Sequence, residues 1–246
     1  MGSIGSNLQD VKRRIAVACA EAGRDATIFT RVPDAQAGRG ITLLAVSKTF
    51  PAAAVREAHG AGQCAFGENY VQEALAKIEN LADLRSQLEW HLIGPLQSNK
   101  TRPVAQAFDW VHTVDRLKIA ERLAEQRPPG LAPLNICLQV NVSGEHSKSG
   151  VAPQDLPALA AAVAALPPGR LRLRGLMSIP EPTTDLALQR QQHRALAEAA
   201  RQLRAAGHAI DTLSMGMSAD LESAIAEGAT LVRVGSAIFG RRDPKP

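Results

Sequence analysis

Hydrophobic positions along the chain fall into short runs that alternate with segments of helical periodicity. Asn7–Gly23 is predicted as a first amphipathic helix capped by Ser6 or Asn7, and the polar stretch Arg24–Gly40 as a linker or mobile loop. Eight later apolar runs are predicted as strands: Ile41–Val46, Cys64–Gly67, Trp90–Ile93, Trp110–Val114, Asn135–Val142, Leu173–Met177, Thr212–Ser214 and Leu231–Val234. The intervening segments are predicted as helices, with a further short helix after Ser236: Ala52–His59, Tyr70–Leu81, Lys100–Ala107, Leu117–Gln126, Leu156–Ala165, Leu186–Ala206 and Ala219–Glu227.

This alternation of eight strands with helices predicts the α/β class and a (β/α)8 barrel, also called a TIM barrel. An open doubly wound sheet is the alternative. It normally uses fewer strands and a glycine-rich first turn, and no GxGxxG motif follows Val46. We therefore expect a single domain over residues 1–246, in which residues 1–40 form the N-terminal helix and a connecting loop and residues 41–246 form the barrel.

Composition and charge exclude several classes of protein. The 246 residues are 45% hydrophobic and 21% charged, which is typical of a globular protein and excludes a disordered chain or a fibre. Aromatic residues make up only 3%, which argues against a nucleic-acid reader that stacks bases on rings. The net charge is +4, and the basic residues are scattered apart from Lys12–Arg14 and Arg241–Arg242, which we interpret as solvated ends.

No apolar stretch reaches the roughly 18–20 residues of a membrane helix, and the N-terminus lacks the apolar region of a signal peptide. We therefore expect a cytoplasmic protein without membrane or nucleic-acid partners. Cys19, Cys64 and Cys137 lie far apart and form no CxxC motif, so neither a metal site nor a disulfide framework is expected. Cys64 and Cys137 lie in apolar runs and are predicted to be buried thiols.

Small residues follow the last two predicted strands, at the end of the barrel where active sites lie. Gly216 and Ser218 follow the seventh strand, and Gly235 and Ser236 follow the eighth. Backbone N–H groups at the start of a helix bind phosphate, and serine hydroxyls add donors. Ordinary capping, with Ser218 as an N-cap, is the alternative for either turn alone. Both turns together, beside Arg233, favour a phosphate site.

Lys48 directly follows the hydrophobic first strand of the predicted barrel. A partly desolvated lysine at a strand end has a lowered pKa and forms Schiff bases with aldehydes. A lysine that extends into solvent is the alternative. A phosphate site together with a strand-end lysine points to a phosphorylated aldehyde, and pyridoxal 5′-phosphate (PLP) is the commonest cofactor of that kind.

Six segments carry a resemblance to a known family: Leu44–Thr49, Phe66–Glu73, Trp90–Lys100, Arg174–Met177, Gly216–Ser218 and Val232–Gly240. In these segments the chain closely resembles the pyridoxal phosphate homeostasis protein family, which is related to the barrel domain of alanine racemase. The resemblance covers nearly the whole chain, and only Arg24–Gly40 is longer than the usual connection of the family. It implies a fold-type III PLP-binding barrel.

The resemblance also implies roles for individual residues. It implies that Lys48 holds PLP as an internal aldimine, and that Ser218, Gly235 and Ser236 bind its phosphate. Arg233 is implied to face the pyridine nitrogen, where a permanent cation keeps that nitrogen unprotonated and restrains carbanion chemistry.

Four further residues receive weaker interpretations. Asn69 is expected near the phenolic oxygen of the ring. Met177 is expected to pack on the ring, with core packing an equal interpretation. His91 is interpreted as a structural hydrogen-bonding residue more readily than as a catalyst. Lys148, on the loop after the fifth predicted strand, could take PLP transiently, but a solvated loop lysine is the simpler interpretation.

The resemblance implies a PLP carrier that limits free PLP and passes it to apo-enzymes, without robust turnover. The related racemase uses a second base, a tyrosine from a C-terminal domain, whereas this chain ends six residues after Gly240 and its one tyrosine is Tyr70. We expect no catalytic residues, and we expect a monomer. A weak PLP-dependent amino-acid racemase or lyase is one alternative. A barrel for another phosphorylated ligand, or an interaction protein that has lost PLP, is another.

Overall fold

A closed barrel of parallel strands forms the centre of the molecule. The computed structural model describes residues 2–34, 40–144 and 149–240. Its strands are β1 (Ile28–Phe29), β2 (Ile41–Val46), β3 (Ala65–Glu68), β4 (Glu89–Leu92), β5 (Trp110–Val114), β6 (Leu134–Gln139), β7 (Leu171–Met177), β8 (Thr212–Ser214) and β9 (Leu231–Val234). Each strand pairs in parallel with the next, and β2 also pairs with β9. Strands β2 to β9 are therefore the eight strands of the closed barrel, and β1 is an additional strand beside β2. This closure confirms the predicted (β/α)8 barrel, because the edge strands of an open sheet do not meet.

One helix precedes the strands, and the others follow the barrel strands in the predicted order. They are α1 (Ile4–Glu21), α2 (Ala52–Gly60), α3 (Val71–Asn80), α4 (Thr101–Ala107), α5 (Leu117–Gln126), α6 (Leu156–Ala164), α7 (Leu186–Ala205), α8 (Leu221–Ala226) and α9 (Ser236–Phe239). The bounds of α2 to α8 lie within two residues of the predicted ones. All six residues of β2 are buried, because a parallel strand of this fold is covered on both faces.

Several predicted boundaries were wrong, among them three at the ends of α1, β6 and α8. Helix α1 begins at Ile4, because the hydroxyl of Ser3, and not Ser6 or Asn7, accepts the capping hydrogen bond at 3.2 Å. Strand β6 ends at Gln139, and only one isolated bridge, from Val140, continues the predicted run to Val142. Ser218 does not cap α8, which begins three residues later at Leu221.

The stretch predicted as a connecting loop closes the N-terminal end of the barrel. Ile28 and Phe29 pair with β2, which the sequence did not predict because a two-residue strand has no periodicity. Val32 packs against the apolar residues of the barrel interior. The Arg24 guanidinium donates to the carbonyl oxygens of Ile225 and Ala229, at 2.8 and 2.7 Å. Residues 35–39 lie outside the described residues.

Helix α1 packs against α8 and α9 and contributes to the hydrophobic core. Arg14 of this helix forms an ion pair with Glu222 of α8, so only part of the Lys12–Arg14 run behaves as a solvated end. Arg13 is the solvated member, with a side chain that is 73% exposed. The second basic run, Arg241–Arg242, lies outside the described residues.

The three thiols lie in different environments. Cys19 and Cys137 are buried, and burial raises the pKa of the Cys137 thiol. The prediction of a buried Cys64 was wrong: Cys64 is partly exposed because it precedes β3, which begins at Ala65. In the parts of the chain that the structure describes, no three His, Cys, Asp or Glu side chains cluster as metal ligands. Within those same parts, every helix is too short or too polar to span a bilayer.

Candidate functional site

A cavity of about 740 Å³ lies at the C-terminal ends of the barrel strands. Barrel enzymes and binding proteins of this fold have their sites at this end. Six of the seven predicted binding residues line it: Lys48, Asn69, Ser218, Arg233, Gly235 and Ser236. Apolar side chains form much of the remaining wall: Val46, Phe50, Ile93 and Ile179. The cavity therefore combines an apolar body with a few polar groups, as small-molecule sites do.

Strand pairing brings Lys48 beside the last turn of the barrel. Strand β2 pairs with β9 so that Leu44 lies opposite Arg233, and Lys48 follows the end of β2. A side chain on Gly235 would place its Cβ 3.2 Å from the Val46 carbonyl oxygen. Glycine at this position allows the turn after β9 to approach the end of β2 closely. Residues separated by nearly the whole chain thus meet at one wall of the cavity.

A buried charge cluster lies beneath Lys48. The Lys77 ammonium on α3 donates to Glu68 Oε1 at 2.7 Å, to Glu73 Oε1 at 2.6 Å and to the Ser47 carbonyl oxygen at 2.7 Å. Lys77 and Glu68 are both buried, and burial raises the pKa of the Glu68 carboxyl above its ordinary value. Sequence reasoning missed this cluster, although Glu73 and Lys77 stand four residues apart on a predicted helix.

The cluster fixes both chain neighbours of Lys48. The Ser47 hydroxyl donates to Glu68 Oε1 at 2.6 Å, and the Thr49 N–H donates to Glu73 Oε1. Thr49 has a φ of +69°, a left-handed conformation that a β-branched residue rarely adopts. The bond to Glu73 compensates this strain. The backbone that carries Lys48 is therefore held on both sides, by a buried hydrogen bond at Ser47 and by an exposed one at Thr49.

Arg233 is a buried cation in the cavity wall. Its side chain donates one bond to the Ser214 hydroxyl and one to the Ser178 carbonyl oxygen, both at 2.8 Å. Burial lowers the pKa of Arg233 to about 10, with the charge of Asp220 opposing the shift. The guanidinium therefore stays protonated at neutral pH and presents a fixed positive charge to the cavity.

The turn after β8 has its own support. Gly216 has a φ of +89°, and a Cβ there would lie 2.5 Å from the side chain of Ala224. The Met217 N–H donates to Asp220 Oδ1 at 2.7 Å, and His193 Nε2 lies 3.0 Å from Asp220 Oδ2. Burial opposes ionisation of Asp220, but these two hydrogen bonds outweigh it and hold its pKa below 3.8. Asp220 thus shapes the turn that carries Ser218, a role that sequence reasoning missed.

The remaining predicted residues differ in where they lie. Asn69 lines the cavity, and its buried Oδ1 has no hydrogen-bond partner among the described residues. Met177 is fully buried, packs with Trp110 and Cys137 inside the barrel and is not among the lining residues, which favours the core-packing interpretation. His91 is also inside the barrel and is hydrogen bonded at both ring nitrogens, as a structural residue would be. Lys148 lies outside the described residues.

Sequence comparisons agree with this geometry. Residues 31–243 match the family model of the alanine racemase N-terminal domain. The chain is 60% identical over 243 residues to the pyridoxal phosphate homeostasis protein of Pseudomonas aeruginosa, covering 99% of this chain and 97% of that protein. The chain belongs to the pyridoxal phosphate homeostasis protein family. The family member of Escherichia coli K12 is 53% identical over 244 residues, covering 99% of this chain and 98% of that one.

Solved structures extend the comparison. PipY of Synechococcus elongatus, solved with PLP bound, is 41% identical and superimposes with a TM-score of 0.71, covering 92% of this chain and 100% of PipY. Alanine racemase of Corynebacterium glutamicum is 19% identical with a TM-score of 0.62, and the match covers 95% of this chain and 61% of the racemase. At that identity the racemase shows the fold alone. The predicted resemblance to the homeostasis family and to the racemase barrel is confirmed.

Proposed function

We propose that the protein binds PLP in the cavity at the C-terminal end of the barrel and acts in intracellular PLP homeostasis. The observation that carries the proposal is the convergence on one cavity of a strand-end lysine, a buried arginine and two turns rich in glycine and serine. The homologues named as PLP homeostasis proteins and the PLP-bound PipY structure support it.

The residues present fit the group. Lys48 would hold PLP as a Schiff base, which is the chemistry that the aldehyde of PLP supplies. Ser218, Gly235 and Ser236 would bind the phosphate. The first backbone N–H groups of α9 have no acceptor within the helix and can donate to an anion, and the serine hydroxyls are additional donors. Arg233 would face the pyridine nitrogen. All five residues line one cavity.

Asn69 provides the independent test of fit. A buried polar atom without a partner carries a desolvation cost, and Asn69 Oδ1 is such an atom among the described residues. A ligand with polar substituents at this point of the cavity would allow the amide to make its hydrogen bonds. Because Oδ1 only accepts, the ligand must present a donor at this point, and the phenolic hydroxyl of PLP in its protonated form would be one.

The same lining favours a carrier over an efficient enzyme. Of the described residues that line the cavity, only Lys48 and Arg233 carry titratable side chains. The one tyrosine of the sequence, Tyr70, is 57% exposed and is not among the lining residues. A fixed cation at Arg233 would keep the pyridine nitrogen unprotonated and so reduce its capacity to accept electrons. We therefore propose PLP binding without robust turnover and assign no catalytic residues.

Release to apo-enzymes, a cytoplasmic location and a monomeric state complete the proposal. Ile179 of the cavity wall is 44% exposed, so bound PLP would be accessible to solvent and to a recipient enzyme.

A weak PLP-dependent racemase or lyase is the second candidate. It is favoured by the racemase-type barrel and by a lysine in the cavity.

The test is a titration of the purified protein with PLP, followed by visible absorption. Wild type should develop a yellow band, and Lys48→Ala should not. Lys118→Ala, at an exposed position on α5, is the matched lysine control and should behave as wild type. Equal bands in wild type and Lys48→Ala would overturn the assignment of Lys48.

A second assay separates the carrier from the enzyme. The PLP-loaded protein is mixed with a PLP-dependent apo-enzyme, and recovery of that enzyme's activity is compared with the same amount of free PLP. Exchange of the α-proton of amino acids is measured in parallel. Recovery without exchange supports the carrier, whereas Lys48-dependent exchange at an enzymatic rate would support the racemase or lyase.

A further inference from the structure

A chain of polar side chains, all buried except the partly exposed Glu89, crosses the interior of the barrel. Arg233 donates to the Ser214 hydroxyl at 2.8 Å, and that hydroxyl lies 2.9 Å from His112 Nδ1. His112 Nε2 lies 2.9 Å from His91 Nδ1, and His91 Nε2 lies 2.8 Å from Glu89 Oε1. These residues come from β9, β8, β5 and β4. We call the set Glu89, His91, His112 and Ser214 the barrel relay.

The donors and acceptors of the barrel relay are compatible with one direction throughout. An ionised Glu89 only accepts, so His91 carries its proton on Nε2 and accepts at Nδ1. His112 must then donate from Nε2 and accept at Nδ1, which leaves the Ser214 proton to be donated to His112. Ser214 in turn accepts from Arg233. In this arrangement His91, His112 and the Ser214 hydroxyl each donate one hydrogen bond and accept another, which requires both imidazole rings to be neutral.

The charges around the relay agree with this direction. His112 is fully buried, and burial, followed by the nearby His91 and Arg233, holds its pKa well below 6.5. Burial opposes ionisation of Glu89, but hydrogen bonds from His91 and from the Val32 N–H outweigh it and lower its pKa. A neutral His112 thus lies between the cation at the cavity and the anion of Glu89 near the closed end of the barrel.

We propose that the barrel relay is a set of positioning residues for Arg233, which fixes the guanidinium at the point of the cavity where it would meet the pyridine ring of PLP. Two of the five N–H donors of Arg233 are used by Ser214 and Ser178. The orientation of the remaining donors toward the cavity then follows from the hydrogen bonds beneath them. This inference rests on the proposed function for the identity of the ligand.

The relay itself is tested on the protein without PLP. Nitrogen-15 NMR of the imidazole rings at neutral pH should show His91 and His112 as neutral rings protonated at Nε2. A protonated ring, or a ring carrying its proton on Nδ1, at either position would overturn the direction of the relay. This measurement does not depend on whether PLP is the ligand.

The positioning role is tested with Ser214→Ala, which removes the acceptor of the Arg233 bond. PLP binding should weaken about tenfold, and the absorption maximum of bound PLP should shift, because the cation beside the ring is no longer fixed. Thr212→Val is the matched control. Thr212 is buried on the same strand, and its hydroxyl donates to Asp211 and not to a residue of the barrel relay. Loss of this hydroxyl should therefore leave the absorption maximum of bound PLP unchanged.

Ser214→Thr keeps the hydroxyl and should restore both the affinity and the absorption maximum. If Ser214→Ala and Thr212→Val have the same affinity for PLP and the same absorption maximum of bound PLP, the positioning role is overturned. A wild-type protein that binds no PLP would instead overturn the proposed function, and the ring spectra of the PLP-free protein would still decide the relay.

Discussion

Replacing Lys77 with methionine removes the cation from the buried cluster that fixes the neighbours of Lys48. Methionine retains an unbranched apolar side chain, so much of the packing is kept while the charge is lost. Glu68 is fully buried, and its Oε2 has no hydrogen-bond partner among the described residues. Loss of Lys77 therefore leaves this carboxyl without its nearest compensating charge, 2.7 Å away.

Removal of one member of a buried ion pair costs about 3–5 kcal/mol of stability. The cost should depend on pH in a definite direction. Burial already raises the pKa of Glu68 above 4.5 with Lys77 present, and loss of the cation raises it further. A carboxyl of this kind binds its proton more tightly in the folded state, so stability falls as pH rises from 4.5 toward the folded pKa. Lys77→Met should therefore destabilise less at about pH 5 than at about pH 8.

Urea unfolding at both pH values measures the change in the free energy of unfolding. Lys118→Met, at an exposed position of α5, is the matched control and should change stability by less than about 0.5 kcal/mol. Two results would each refute the interpretation that Lys77 compensates the charge of an ionised Glu68. One is that Lys77→Met lowers the free energy of unfolding by less than about 1 kcal/mol, and the other is that it does so by an amount that does not depend on pH.

Three further changes test the turns around the cavity. Both Gly216 and Gly228 have a positive φ, so alanine at either position should cost about 1–2 kcal/mol of stability. Urea unfolding should show a larger loss for Gly216→Ala than for Gly228→Ala, because of these two positions only Gly216 lacks space for a methyl group. The double variant Ser218→Ala with Ser236→Ala should weaken PLP binding about tenfold in a fluorescence titration. It should leave binding of pyridoxal, which has no phosphate, unchanged; an equal loss for both ligands would contradict the phosphate assignment. Asp220→Asn should cost about 1–3 kcal/mol at neutral pH. The ionised Asp220 stabilises the fold above pH 3.8, so the difference from wild type should narrow as pH falls below that value.

The strands and helices of the barrel were predictable because each has a local signal. Four strands, among them Trp110–Val114 and Leu231–Val234, have the predicted bounds, since buried parallel strands are short continuous apolar runs between polar turns. Position at a strand end also predicted that Lys48 lies near the two turns that we propose to bind phosphate, because the C-terminal ends of barrel strands share one rim.

The features that the sequence could not predict depend on contacts between distant residues. The segment around Val32 resembles a loop in composition, and only the assembled barrel interior gives it a packing partner. His112 lies in an apolar run, and its partners His91 and Ser214 are 21 and 102 residues away. Met177 has the same pattern whether it packs on a ligand or inside the barrel, so periodicity could not distinguish the two.

The most direct test of the account is the site of covalent attachment of PLP. The complex of the protein and PLP is reduced with borohydride, which converts a Schiff base to a stable amine, and the modified peptide is identified by mass spectrometry. The account predicts one dominant adduct, on Lys48, that is lost in Lys48→Ala without transfer to another lysine. A dominant adduct elsewhere, or no adduct on a protein that binds PLP, would contradict it.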